Sequence, residues 1–203
     1  MTSNFIDKPR RFPAPALLLD ANVLIRFGKC GNVQALAGLG QLEAASSVLN
    51  EFSTRPADRA ALRSLSIVRR SLIPGSEEWN EFCLLRGEGK ATRDLGEDES
   101  IAICLADAKR GRILPFATFD RRPGRRAQEL SIVVLDFLAV LCFLCTTGTL
   151  TIEQADKIET LAARINGWRR PQGCPVSIES LIEPTIERIS QEIMKNSARF
   201  VAK

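Results

Sequence analysis

Histidine is absent from all 203 residues, tyrosine is absent with it, and tryptophan occurs only twice. Without an imidazole base, the usual serine and cysteine hydrolase triads are excluded. A zinc site would have to rely on cysteine and carboxylate alone. So few aromatics argue against a base-stacking platform for single strands. A membrane helix needs about twenty apolar residues. The longest apolar stretch, Leu130 to Leu150, contains Asp136 and divides better into a strand and a helix. The first residues are polar and punctuated by Pro9, Pro13 and Pro15, so no secretory leader is expected. These absences together lead to the expectation of a cytoplasmic protein with no membrane association.

Six cysteines stand at 30, 83, 104, 142, 145 and 174. Only Cys142 and Cys145 are close together, within an apolar run. Two small apolar residues on one helix face is a better reading of them than a redox or zinc pair. Apolar residues make up 45% and charged residues 26%, an ordinary globular mixture, and the formal charge of +4 is compatible with a polyanionic partner. The length allows one sizeable core with an appended helical subdomain.

The pattern along the chain predicts strands alternating with helices. Ala16 to Asp20 is a short apolar run ending in a carboxylate, as a buried parallel strand would be. A helix follows from Asn22. Leu42 to Ala45 reads as a second strand, with Ser46 or Ser47 capping the next helix. Ala57 to Arg70 reads as a basic amphipathic helix, and Glu77 to Arg86 and Glu97 to Arg110 as two more. Ile113 to Thr118 is a further buried strand running into Asp120, followed by an arginine-rich loop. Ile132 to Leu135 is a strand, with Asp136 capping the helix after it. Thr151 to Gln154 has capping-box spacing, and a final helix covers 178 to roughly 200. The expected organisation is an arm at 1–15, an α/β domain at 16–150 and a helical extension at 151–203. The expected fold is three-layer α/β/α, with a central parallel sheet of four or five strands plus C-terminal helices.

Ligands in such sheets sit beyond the carboxyl ends of the strands, where Asp20 and Asp120 fall. Glu51 lies among Val48, Leu49 and Phe52. In the helix at 97, Ile101, Cys104, Leu105 and Ala108 form an apolar stripe. Its period puts Glu97 and Asp98 on the core side and Glu99 toward solvent. Crowded carboxylates are costly unless a cation compensates. Hard oxygen ligands without histidine select Mg²⁺ or Mn²⁺ over zinc. Arg121, Arg122, Arg125 and Arg126 follow Asp120, at the rim where guanidinium groups hold phosphates. A second basic stretch, Arg55 to Arg70, reads as a charged exposed helix.

The segment Leu17-Leu-Leu-Asp-Ala-Asn-Val-Leu-Ile25 resembles the opening motif of PIN-domain nucleases. Ser47 to Glu51 is similar to that family's second acidic position, Asp94 to Ala102 to its third, and Ala117-Thr-Phe-Asp120 to its fourth. The resemblance spans Leu17 to Leu150. It implies a PIN-like fold and a metal-dependent endoribonuclease in which Asp20, Glu51, Glu97 or Asp98, and Asp120 bind one or two Mg²⁺ or Mn²⁺ ions. Asn22 and Thr118 would orient ligands or substrate, and the arginines would hold RNA. Many bacterial members are toxins of toxin–antitoxin pairs (VapC-like), so the resemblance also implies an antitoxin partner. Residues 151–203 exceed a minimal domain and would serve as a homodimer or partner surface. Two other readings stay open. One is a non-catalytic module of the same fold that binds RNA or protein. The other is a haloacid-dehalogenase-like phosphatase, disfavoured because Asn22 stands where that chemistry wants a second aspartate.

Overall fold

The computed structural model describes residues 11–54, 56–87, 94–175 and 177–201. Residues 1–10 of the expected arm, Arg55, residues 88–93, Val176 and residues 202–203 lie outside the described residues. Five strands form one all-parallel sheet in the order β3-β2-β1-β4-β5. Strand β1 is Ala16–Leu19, β2 Gln41–Ala45, β3 Ile67–Arg70, β4 Phe116–Ala117 and β5 Val134–Leu135. Nine α-helices are found among the described residues: α1 Ala21–Lys29, α2 Ser46–Phe52, α3 Pro56–Ser64, α4 Glu77–Arg86, α5 Leu95–Lys109, α6 Arg121–Glu129, α7 Phe137–Thr146, α8 Ile152–Asn166 and α9 Ile178–Val201. A short 3₁₀ stretch, Val33–Leu39, precedes β2.

Strand β1 is buried along its whole length, because a parallel sheet covered on both faces leaves no polar side. The chain steps from β1 outward to β2 and β3, then returns to add β4 and β5 on the other flank. Right-handed crossovers going opposite ways from β1 put their helices on opposite faces. The arrangement is consistent with three α/β/α layers. It also makes the junction of β1 and β4 the point where the chain direction switches, the place where sheets of this kind hold ligands.

One core runs through the molecule. Helix α7 is buried along its entire length, with α9 packed along it and α8 against it. Ala155, Ile158, Ala162, Ile178 and Ile189 join the same apolar cluster as the sheet, so the 151–203 extension shares the core of the α/β unit. Phe12, within the expected arm, meets Phe143 edge-on at 4.9 Å. Cys142 and Cys145 are buried in α7, and burial pushes their thiols up to about 12 and about 11, the behaviour of core residues. Among the described residues no helix is long and apolar enough to cross a membrane.

Three local readings need correction. The basic helix expected to reach Arg70 ends at Ser64, and Ile67–Arg70 is the edge strand β3. Its polar side chains are half-exposed, so no alternation marked it as a strand. The arginine loop after Asp120 is helix α6, whose N-terminus Asp120 caps. Neither serine caps α2 with its own side chain; the Ser47 N–H donates to Glu99 at 3.0 Å instead.

Candidate active site

The site begins with Asp20, one residue beyond β1. Its amide donates to the Ala117 carbonyl of β4 at 3.0 Å, which extends the β1–β4 register by one step. The same side chain caps α1, accepting from the Ala21 amide at 2.7 Å. The other carboxylate oxygen accepts from Asn22 Nδ2 at 2.6 Å and from the Thr118 hydroxyl at 2.7 Å. Asn22 in turn accepts from the Phe119 amide at 2.9 Å. Asp20, Asn22 and Thr118 thus lock the end of β1 to the end of β4. Asp20 is only 5% exposed, and among the described residues it has no arginine or lysine partner.

Burial pushes the Asp20 carboxyl up to about 6, even though the Thr118 and Ala21 hydrogen bonds pull the other way. The charges of Glu51 and Asp120 add to the rise. Glu97, in the first turn of α5, is pushed up to about 7. Burial is the larger cause, and repulsion from Asp20, Asp94 and Asp120 reinforces it against a pull from Arg122. Side chains from β1, α2, α5 and the end of β4 therefore face one another electrostatically at one edge of the sheet. Residues 20, 51, 97 and 120, expected as ligands, are brought together in this sense. Glu51 and Asp120 are exposed, while Asp20 and Glu97 lie deeper.

Asp98 is placed otherwise. Its carboxylate is held by Arg86 at 3.2 Å and by Arg126, which also donates to the Leu85 carbonyl at 3.3 Å. The two acids differ in surroundings: Glu97 feels the charge of Asp20, whereas Asp98 ties α4 and α6 to α5. The same pairing takes Arg126 out of the expected phosphate-binding rim. Glu99, expected toward solvent, is buried and accepts from Ser47. The one-sided stripe was the wrong premise. Helix α5 is covered by α4 as well as by the sheet, so most of its circumference is buried.

Among the other arginines, Arg121 and Arg122 are exposed at the start of α6 and Arg125 pairs with Glu129 at 3.0 Å. Arg122 reaches Asp94 at 3.4 Å. Asp94 adopts a left-handed backbone, φ 63°, before α5, and sequence reasoning gave it no role of its own. Arg26 was also missed. It lies four residues after Asn22 on α1 and so shares its face, which was the available signal.

Glu43, Arg70, Asp107 and Arg112 form a separate ion-pair network reaching in from β2, β3 and α5. Each charge there has an opposite partner, in contrast to Asp20 and Glu97.

Oxygen donors, no imidazole and two carboxyls driven upward by burial and reinforced by neighbouring negative charge suit a hard divalent cation. Among the described residues, no three aspartate, glutamate or cysteine side chains stand close enough to enclose a metal ion as placed. A shared ion therefore requires side-chain rotation, and the exposed Glu51 and Asp120 have the freedom for it. Comparisons with protein-family models, curated proteins and solved structures return no match.

Proposed function

We propose that this protein is a metal-dependent endoribonuclease of PIN-like fold that hydrolyses RNA phosphodiester bonds at the β1–β4 edge. The observation that carries the reading is Asp20, buried at the end of β1, fixed by Thr118 and Asn22 and without an ion-pair partner among the described residues, with Glu97 close enough to feel its charge. Groups perturbed by burial and neighbouring charge cluster at functional sites. Asp20, Glu97, Asp120 and Glu51 would hold Mg²⁺ or Mn²⁺. When bound, that ion neutralises phosphate charge and makes water a stronger nucleophile. Thr118 and Asn22 fix the Asp20 carboxylate, so its geometry is set before substrate arrives. Arg121 and Arg122, exposed beside Asp120, are placed to hold flanking phosphates.

The family resemblance extends the proposal to a toxin restrained by an antitoxin. A partner that lays a cationic side chain over Asp20 and Glu97 would relieve the same repulsion a metal relieves. The six cysteines are free thiols, in keeping with a reducing compartment, and we place the protein in the cytoplasm.

Cleavage of a single-stranded RNA with Mn²⁺ tests the reading, comparing the wild type with Asp20→Asn, Glu97→Gln and Asp120→Asn. Loss of at least about 100-fold in each variant, equivalent to about 2.7 kcal/mol of barrier, is the expected result. RNA bound but not cut by the wild type would make it a binding module. Release of phosphate from small monoesters would point to a phosphatase.

A further inference from the structure

Arg26 carries a charge that the site described above does not use. Its guanidinium carbon lies 5.3 Å from the Phe119 ring centroid and 5.4 Å from that of Phe137. It is stacked by aromatics, with no ion pair found among the described residues, and its buried Nη1 has no hydrogen-bond partner. It also feels the charge of Asp120. From Phe119, next to Asp120, edge-to-face contacts run outward: Phe119 to Phe137 at 5.0 Å and 72°, then Phe137 to Trp168 at 5.0 Å and 66°. Aromatics are few in the sequence, but the fold gathers several in one line. That line begins beside the carboxylates and ends at a half-buried tryptophan.

Trp168 borders an open cleft of about 590 Å³ beside α8, shared with Asp156, Glu159, Arg169, Arg170 and Ser177. Glu159 is engaged by Arg170 at 2.8 Å. Arg169 and Asp156 remain as the charges that face a ligand. The volume falls in the range of small-ligand sites.

We propose that this cleft is a nucleotide subsite, holding one base and phosphate of single-stranded RNA beside the segment cut at Asp20. The base stacks on Trp168, Arg169 meets its phosphate, and Asp156 accepts from an exocyclic amino group. Arg26 supplies the intervening positive charge. The proposal takes the identity of its ligand from the RNA-hydrolase reading.

The test uses the full chain carrying Trp79→Phe, so that Trp168 is the sole tryptophan. An unlabelled RNA hexanucleotide is titrated in EDTA with tryptophan fluorescence as the readout, and cleavage is assayed separately in Mn²⁺. Saturable quenching is expected. Isothermal titration calorimetry with the same RNA in EDTA gives the affinity of each variant, and Trp168→Ala weakens binding by about 5- to 150-fold, the range for losing one base–aromatic stack. It raises KM with kcat unchanged, and Trp168→Phe restores most of the affinity. Should the alanine variant fail to fold, quenching in the Trp79→Phe chain and the Trp168→Phe variant still decide. Cleavage with no quenching, or with binding unaffected by Trp168→Ala, overturns the subsite and leaves the nuclease standing. Quenching without cleavage supports the subsite and overturns the nuclease. Neither signal overturns both.

Discussion

Replacing Asp20 by asparagine removes a charge that the fold holds against its own preference, so the variant is expected to gain stability at alkaline pH while losing activity. The carboxyl rises from 3.8 to about 6 on folding, and at 1.36 kcal/mol per unit the ionised form costs roughly 3 kcal/mol. For an acid raised on folding, the stabilising contribution is complete below the unfolded value near 4. It is lost as pH rises through the folded value near 6. At pH 8 the wild type bears the whole cost, and the asparagine bears none of it. Against this, Asp20 accepts from Ala21, Asn22 and Thr118, and a single amide oxygen cannot reproduce both carboxylate faces. One mismatched donor costs roughly 1–2 kcal/mol. The net is a stabilisation of about 1–2 kcal/mol at pH 8, or about 2–8 °C in Tm for a chain of this size. At pH 3, below both values, only the mismatch remains, and the variant melts below the wild type. Thermal unfolding by circular dichroism in EDTA at both pH values measures the difference. A shift of the same sign and size at both would refute the argument that an uncompensated charge sits at Asp20.

Saturating Mn²⁺ at about 100 times its Kd should stabilise the wild type by about 2.7 kcal/mol, about 5–10 °C in Tm. The gain should shrink at pH 5, where Asp20 and Glu97 are largely protonated, and vanish in the Asp20→Asn, Glu97→Gln double variant; calorimetric scans check this. Asp98→Asn removes the carboxylate that Arg86 and Arg126 share and should cost about 1.5–3 kcal/mol in urea unfolding. Its kcat in Mn²⁺, measured where the variant stays folded, should stay within a few-fold of wild type, the reverse of Glu97→Gln. Glu43→Gln removes the shared partner of Arg70 and Arg112 and should cost about 3 kcal/mol, with its cleavage pH profile unmoved. Gly38→Ala puts a methyl 1.8 Å from the Thr149 hydroxyl oxygen, so a loss of about 1–3 kcal/mol is expected, rescued by Thr149→Gly.

The parts of the site legible in the sequence are those fixed by local rules. A carboxylate at the end of an apolar strand must lie at the strand's carboxyl edge, and this located Asp20 and Asp120 without a structure. The pairing of Thr118 and Asn22 with Asp20 followed once β1 and β4 became neighbours. What stayed hidden depends on which elements pack together. Whether Asp98 meets a metal or an arginine is decided by α4 and α6, far away in the chain. Glu99 is buried because a second layer covers the face that periodicity assigned to water. Strand β3 escaped because an edge strand rich in arginine has no apolar alternation, and Arg70 is neutralised by Glu43, Glu78 and Asp107 from other elements. Composition counted the aromatics correctly and said nothing of their alignment from Phe119 to Trp168.

Diffraction from crystals grown with Mn²⁺, recorded at the manganese absorption edge, gives the most direct answer. Anomalous density between Asp20 and Asp120, within reach of Glu97, is the expected result. Its absence at saturating Mn²⁺, or a peak lying only against other carboxylates, would contradict the claim that these side chains share a cation.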